Sequence, residues 1–141
     1  MRAIDLHNEI NPRVAIAPAA AYTNNTAILS AIIDTSGFEG VEFIIETGAI
    51  TAGATFAVSV SDGNTSNLAD GAVVSAANLI GTTALAGFAS ANANSCFKIG
   101  YQGVNRYLQL TITPTGNTSA FISALAVLGG PHFAPTANPP V

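Results

Sequence analysis

The segment RYLQLTIT, Arg106 to Thr113, alternates without a break. Leu108, Leu110 and Ile112 fall on one side of an extended chain, and Tyr107, Gln109, Thr111 and Thr113 on the other. A helix repeats every ~3.6 residues and would scatter the three aliphatic side chains around its axis, whereas a strand puts them on one face. The spacing therefore predicts a half-buried strand, ended by Pro114. A second stretch repeats the pattern, with Phe56, Val58 and Val60 set against Ala57, Ser59 and Ser61, and then runs into Asp62-Gly63-Asn64, residues that tolerate positive φ and open a turn. Both apolar sets are expected to face the interior.

Further strands are expected at Arg13 to Ala17, Ala27 to Asp34, Val41 to Thr47, Phe97 to Gln102 and Phe121 to Leu128, separated by Gly, Asn and Pro clusters. That makes about seven or eight strands. Ala72 to Ala91 holds enough Ala and Leu for a short helix, but Gly81 and Gly87 argue against a long one, so it reads as loop or edge strand. The fold class that follows is all-β, an antiparallel β-sandwich or jelly-roll-like fold with extended terminal arms. At 141 residues the chain is the size of one domain and can bury roughly 70% of its unfolded surface. Pro12, Pro18, Pro131, Pro135, Pro139 and Pro140 remove backbone donors from both ends. Residues 1–22 are accordingly expected to be an N-terminal arm, 23–130 the sandwich, and 131–141 a Pro-rich tail that is disordered or laid along a neighbouring subunit.

Charged residues make up only 9% of the chain, against about 25% in a typical soluble domain. Hydrophobic residues reach 49% and the mean hydropathy is +0.44. Abundant Ala accounts for part of this. The rest suggests a surface covered by partners, and a homo-oligomer is the expectation. A net charge of −4 with only Arg2, Arg13, Lys98 and Arg106 as cations leaves no basic patch for a phosphate backbone, so nucleic acid is not an expected partner. MRAIDLHNEINPR has no apolar leader core, and no run reaches the ~18 apolar residues of a membrane span, so neither secretion nor a membrane partner is expected. The single cysteine, Cys96, fits a reducing cytoplasm and makes the Asn-x-Ser/Thr triplets at Asn24, Asn64 and Asn117 turn residues rather than glycan acceptors.

Chemistry is hard to find. His7 and His132 both lie in the terminal segments without a supporting motif, and Cys96, at a strand edge in NANSCFKIG, reads as a small buried hydrophobe. DGNTSNLADG spaces Asp62, Asn64, Ser66 and Asp70 like oxygen ligands, but Asn67 and Val73 stand where a calcium loop needs Gly and Glu, so a polar hairpin loop is expected. Glu42 and Glu46 share one strand face with Ile44 between them, an arrangement better suited to a wet side or a subunit contact than to a glycosidase pair. Gly48 to Gly53 and Gly100 to Gly103 lack the helix of a phosphate loop and read as turns. Tyr101, Arg106 and Tyr107 could form a sugar platform, but the chain has no Trp. No catalytic, metal or cofactor residue is assigned, and the chain is not expected to be an enzyme.

In IDLHN, IDTSGFEGVEF, ATFAVSVSDGNTSNLAD, KIGYQGVNRYLQLTITP and ALAVLGGPH the chain resembles, almost end to end, small proteins encoded near the major capsid gene of tailed bacteriophages and prophages. The resemblance implies a capsid decoration or cement protein: a β-sandwich subunit on the outside of an HK97-type shell, commonly a trimer at local three-fold axes. Its implied partner is the major capsid protein and its implied location the virion surface after synthesis in the host cytoplasm. It carries no catalytic residues. The alternatives are a ligand- or carbohydrate-binding sandwich, or a neck or tail structural protein.

Overall fold

Strands run where the alternation holds and stop where turn residues interrupt it. In the computed structural model, which describes residues 5–140, they are β1 (Ile10–Ile16), β2 (Ile28–Leu29), β3 (Ile33–Asp34), β4 (Phe38–Ile50), β5 (Thr55–Gly63), β6 (Ala72–Val73), β7 (Leu79–Ile80), β8 (Phe88–Ala89), β9 (Cys96–Tyr101), β10 (Tyr107–Thr115) and β11 (Ala120–Pro131). Helix is confined to single turns such as Leu6–Glu9 and Thr83–Ala86. The chain is all-β.

Two antiparallel sheets form. One has the order β1-β11-β4-β9-β7; the other has β2-β10-β5-β6, with β3 also pairing β10 and β8 also pairing β5. The pairings nest. The first strand pairs with the last, β2 and β3 with β10, β4 with β9, and β5 with β6 and β8, as though one long hairpin had been wrapped around a barrel axis. That is jelly-roll connectivity, which lets every long strand bury one face against the opposite sheet. The tight β4–β5 turn relies on Gly53, held at φ +83°, with the Ala54 amide donating to the Thr51 carbonyl at 3.2 Å.

The interior follows the alternation. Phe56, Val58 and Val60 on β5 and Leu108, Leu110 and Ile112 on β10 are buried, facing Phe43 and Ile45 of β4, Ile99 of β9 and Leu128 of β11. Phe88 stacks between Phe56 and Phe97 at centroid distances of 4.7 and 5.3 Å.

Several sequence expectations need correction. Pro114 does not end β10: it is buried and lies opposite Phe56. β2 reaches no further than Ile112, so beyond that point β10 has a partner on one side only and a missing donor is tolerated. Ala27 to Asp34 is not one strand but β2 and β3, joined through Ser30, whose hydroxyl accepts from the Leu110 amide at 2.9 Å and substitutes for ladder bonding. Residues 10–16 of the expected arm are an edge strand, with Pro12 tolerated there and Ile16 in the core. The tail also bonds within the chain. The Thr136 amide donates to the Asn8 carbonyl at 3.1 Å and its hydroxyl to that of Ile10 at 2.7 Å, so the tail lies along its own N-terminal segment.

Candidate interaction surface

The two outward faces of the sandwich differ in chemistry. On the β10–β5 sheet the outward positions are Gln109, Thr111, Thr113 and Thr115, set opposite Ser61, Ser59, Ala57 and Thr55. Small hydroxyl side chains cover the middle of this face, with exposed Leu29 and Val73 on the short strands that flank it. The β1–β11–β4–β9 sheet presents the reverse. Val14 is in register with Leu125, Leu125 with Ile44, and Ile44 with Lys98, so three aliphatic side chains on adjacent strands form one row. Val14 is 57% exposed, Leu125 42% and Ile44 36%. The neighbouring row adds Pro12 and Val127. Beside the row lies a hollow of about 250 Å³ walled by Pro18, Ile44, Glu46, Cys96 and Leu125.

Charge frames this apolar patch. Glu42 and Glu46 flank Ile44 along β4 on the outward face. Glu42 folds over β9: a Cβ placed on Gly100 would meet its carboxylate at 2.5 Å and Ile80 at 3.1 Å. Partial burial there raises its pKa, an effect Lys98 partly offsets. Glu46 has one distant partner, the Ser123 hydroxyl at 3.5 Å. Cys96, expected to be buried, is exposed on this same face, because Phe97 and Ile99 take the inward positions of β9.

The other candidates are dispersed. Asp62 is buried and accepts from the Tyr101 hydroxyl at 2.5 Å, while Asp70 accepts from the amides of Asn64 and Thr65 at 2.8 and 3.1 Å and from the Thr65 hydroxyl. The two aspartates of DGNTSNLADG thus serve different structures, and Asp70, stabilised as an anion first by Thr65 and then by these amides, has its pKa lowered to about 2. No group of three His, Cys, Asp or Glu is placed to hold a metal among the described residues. Tyr101 is buried, which removes it from the sugar platform; Arg106 lies over Tyr107 at 5.1 Å and grips Asp34 through two 2.7 Å bonds. That grip holds the Asp34 carboxyl below its ordinary range. His132 bonds Glu39 at 2.6 Å, while His7 sits in the Leu6–Glu9 turn. Gly48 and Gly100 lie within β4 and β9 rather than in turns. Asn117 is buried, donating to the Tyr22 and Asn24 carbonyls at 2.8 and 3.1 Å. No helix among the described residues is long and apolar enough to cross a membrane.

The apolar row was missed in the sequence, although one signal was present: Phe43, Ile44 and Ile45 are consecutive, so β4 is apolar on both faces. No protein-family model matches the chain, and no curated protein matches it. Among solved structures it is similar to a chain in the structure of infectious bursal disease virus Gx strain, at 14% identity and a TM-score of 0.47. The match covers 84% of this chain and 31% of that one, so this chain spans about a third of its length.

Proposed function

We propose that this protein is a structural component of a virion that binds the outer surface of a bacteriophage capsid and stabilises the shell, acting as a homotrimer. The observation that carries the reading is the contrast between the two sheet faces. A hydroxyl-rich face is content in water, whereas covering a continuous aliphatic row on three adjacent strands lowers the free energy by about 25 cal/mol per Å² of apolar surface removed from water. A jelly roll with a hydroxyl-lined face, bordered by Leu29 and Val73, and a second face crossed by an aliphatic row suits a subunit that lies flat on a larger assembly. Several acidic and phenolic groups are engaged in structural bonds: Asp62 with Tyr101, Asp34 with Arg106, Asp70 with its own loop. The resemblance to phage decoration proteins in strand and turn pattern points the same way.

The test is to add purified protein to undecorated heads and measure occupancy by co-sedimentation and resistance of the heads to heat. Saturable binding with a raised disruption temperature supports the proposal. Heads that neither bind the protein nor gain stability would end it, and glycan-array binding in their place would favour the carbohydrate module. Analytical ultracentrifugation of the free and shell-bound protein tests the trimer.

A further inference from the structure

The row Val14, Leu125 and Ile44 crosses three strands, a distance of about 10 Å at the usual inter-strand spacing. Glu42 and Glu46 stand two residues to either side of Ile44 on the same face, about 13 Å apart along β4. Neither carboxylate forms an ion pair among the described residues. Lys98, in register with Ile44, is the one basic side chain in the row. An apolar ridge bracketed by two available carboxylates selects its partner by charge as well as by shape.

A second copy of this chain is a poor occupant. Packing two such faces together would confine four carboxylates with two ammonium groups, and the excess of like charge would lose water without gaining a counter-ion. A surface with its own aliphatic or aromatic side chains and with Lys or Arg on both sides would instead pair both carboxylates. The hollow of about 250 Å³ beside Leu125 is placed to take one large apolar side chain, the kind of central anchor that dominates binding energy in interfaces.

We infer that the outer face of the β1–β11–β4–β9 sheet is the capsid-docking surface, and that it fits a capsid patch made of an apolar anchor flanked by basic side chains. The inference rests on the capsid-binding reading and specifies which face carries it and what chemistry it meets.

The experiment compares four proteins for binding to undecorated heads over a range of salt concentrations: the unaltered chain, Leu125→Asp, the double variant Glu42→Lys with Glu46→Lys, and Thr113→Asp on the opposite face. Circular dichroism and thermal unfolding verify that each is folded, as expected because all four positions point outward. Leu125→Asp and the double Lys variant should each bind about tenfold more weakly or worse, the unaltered chain should lose affinity as salt rises, and Thr113→Asp should bind within about twofold of it. If the unaltered chain binds and Leu125→Asp binds equally well, the docking face is wrong while the capsid reading stands. If the double Lys variant binds as tightly as the unaltered chain, the basic character of the patch is wrong. If Leu125→Asp turns an oligomer into a monomer in ultracentrifugation, the face joins copies of this chain and the inference fails. If the unaltered chain does not bind heads, both fall together.

Discussion

The Tyr101 hydroxyl donates to Asp62 Oδ2 at 2.5 Å, joining β9 of one sheet to β5 of the other through the interior. The hydroxyl also accepts from the Asn105 amide at 3.0 Å, so one side chain ties both sheets and the β9–β10 loop. Removing the phenol oxygen would leave a buried carboxylate without that donor. Tyr101→Phe should therefore destabilise the fold by about 1 to 3 kcal/mol, and adding Asp62→Asn should recover part of the loss. Gly103→Ala should produce a similar loss, because its Cβ would run into the Tyr101 ring and hydroxyl. Urea denaturation of the four proteins checks this; equal stability of Tyr101→Phe and the unaltered chain would show that the bond contributes nothing net.

The same pair sets an alkaline limit. Burial, and then the bond to Asp62, raise the Tyr101 pKa to about 12. In the unfolded chain a tyrosine ionises near pH 10, so the folded state favours the protonated phenol. Its contribution to stability is complete below about pH 10 and is lost as pH rises through about 12. Stability measured across that window should fall more steeply for the unaltered chain than for Tyr101→Phe, and tyrosinate absorbance should show one phenol titrating late.

Asp70 defines the opposite limit in an exposed loop. Its carboxylate holds the Asn64 and Thr65 amides and the Thr65 hydroxyl, and its pKa is lowered to about 2. A depressed carboxyl contributes stability that is complete above the unfolded value near 4 and is lost as pH falls through about 2. A carbon-detected NMR titration of Asp70 should give its midpoint near that lower value, and Asp70→Asn should loosen residues 63–71 without unfolding the sandwich. A midpoint near 4 would show that the loop does not select the anion.

Leu110 is fully buried on β10, so Leu110→Ala should cost about 2 to 5 kcal/mol through lost burial and the cavity it leaves. Chemical denaturation measures it. A change within experimental noise would mean that the inward face of β10 had been misassigned.

Removal of the two chain ends should have unequal effects. Deleting residues 132–141 removes the Thr136 bonds to Asn8 and Ile10 and the His132–Glu39 contact, all near the surface, and should leave a folded sandwich. Deleting residues 1–16 removes β1, takes Ile16 from the core, and bares the edge of β11. The second truncation should unfold or aggregate, as an unpaired long edge invites pairing with another chain. Soluble yield and thermal unfolding distinguish the two cases, and equal tolerance would mean that β1 is dispensable.

Strand positions and inward faces were legible in the sequence wherever one side chain in two was apolar, as in β5 and β10, because the pleat converts that alternation directly into burial. The scarcity of charged residues raised the expectation of a partner but named no face for one. What the tertiary structure alone decided depends on register between segments far apart in the chain. Val14, Ile44 and Leu125 become one row only when β1 and β4 pair on either side of β11, and Asp62 finds Tyr101 only when the two sheets close on each other. The exposure of Cys96, the passage of β10 through Pro114, and the folding back of the tail onto Asn8 and Ile10 are of the same kind. Local propensity cannot determine them, because each follows from which neighbour occupies the space beside a residue, and that neighbour is chosen by the packing of the whole sandwich.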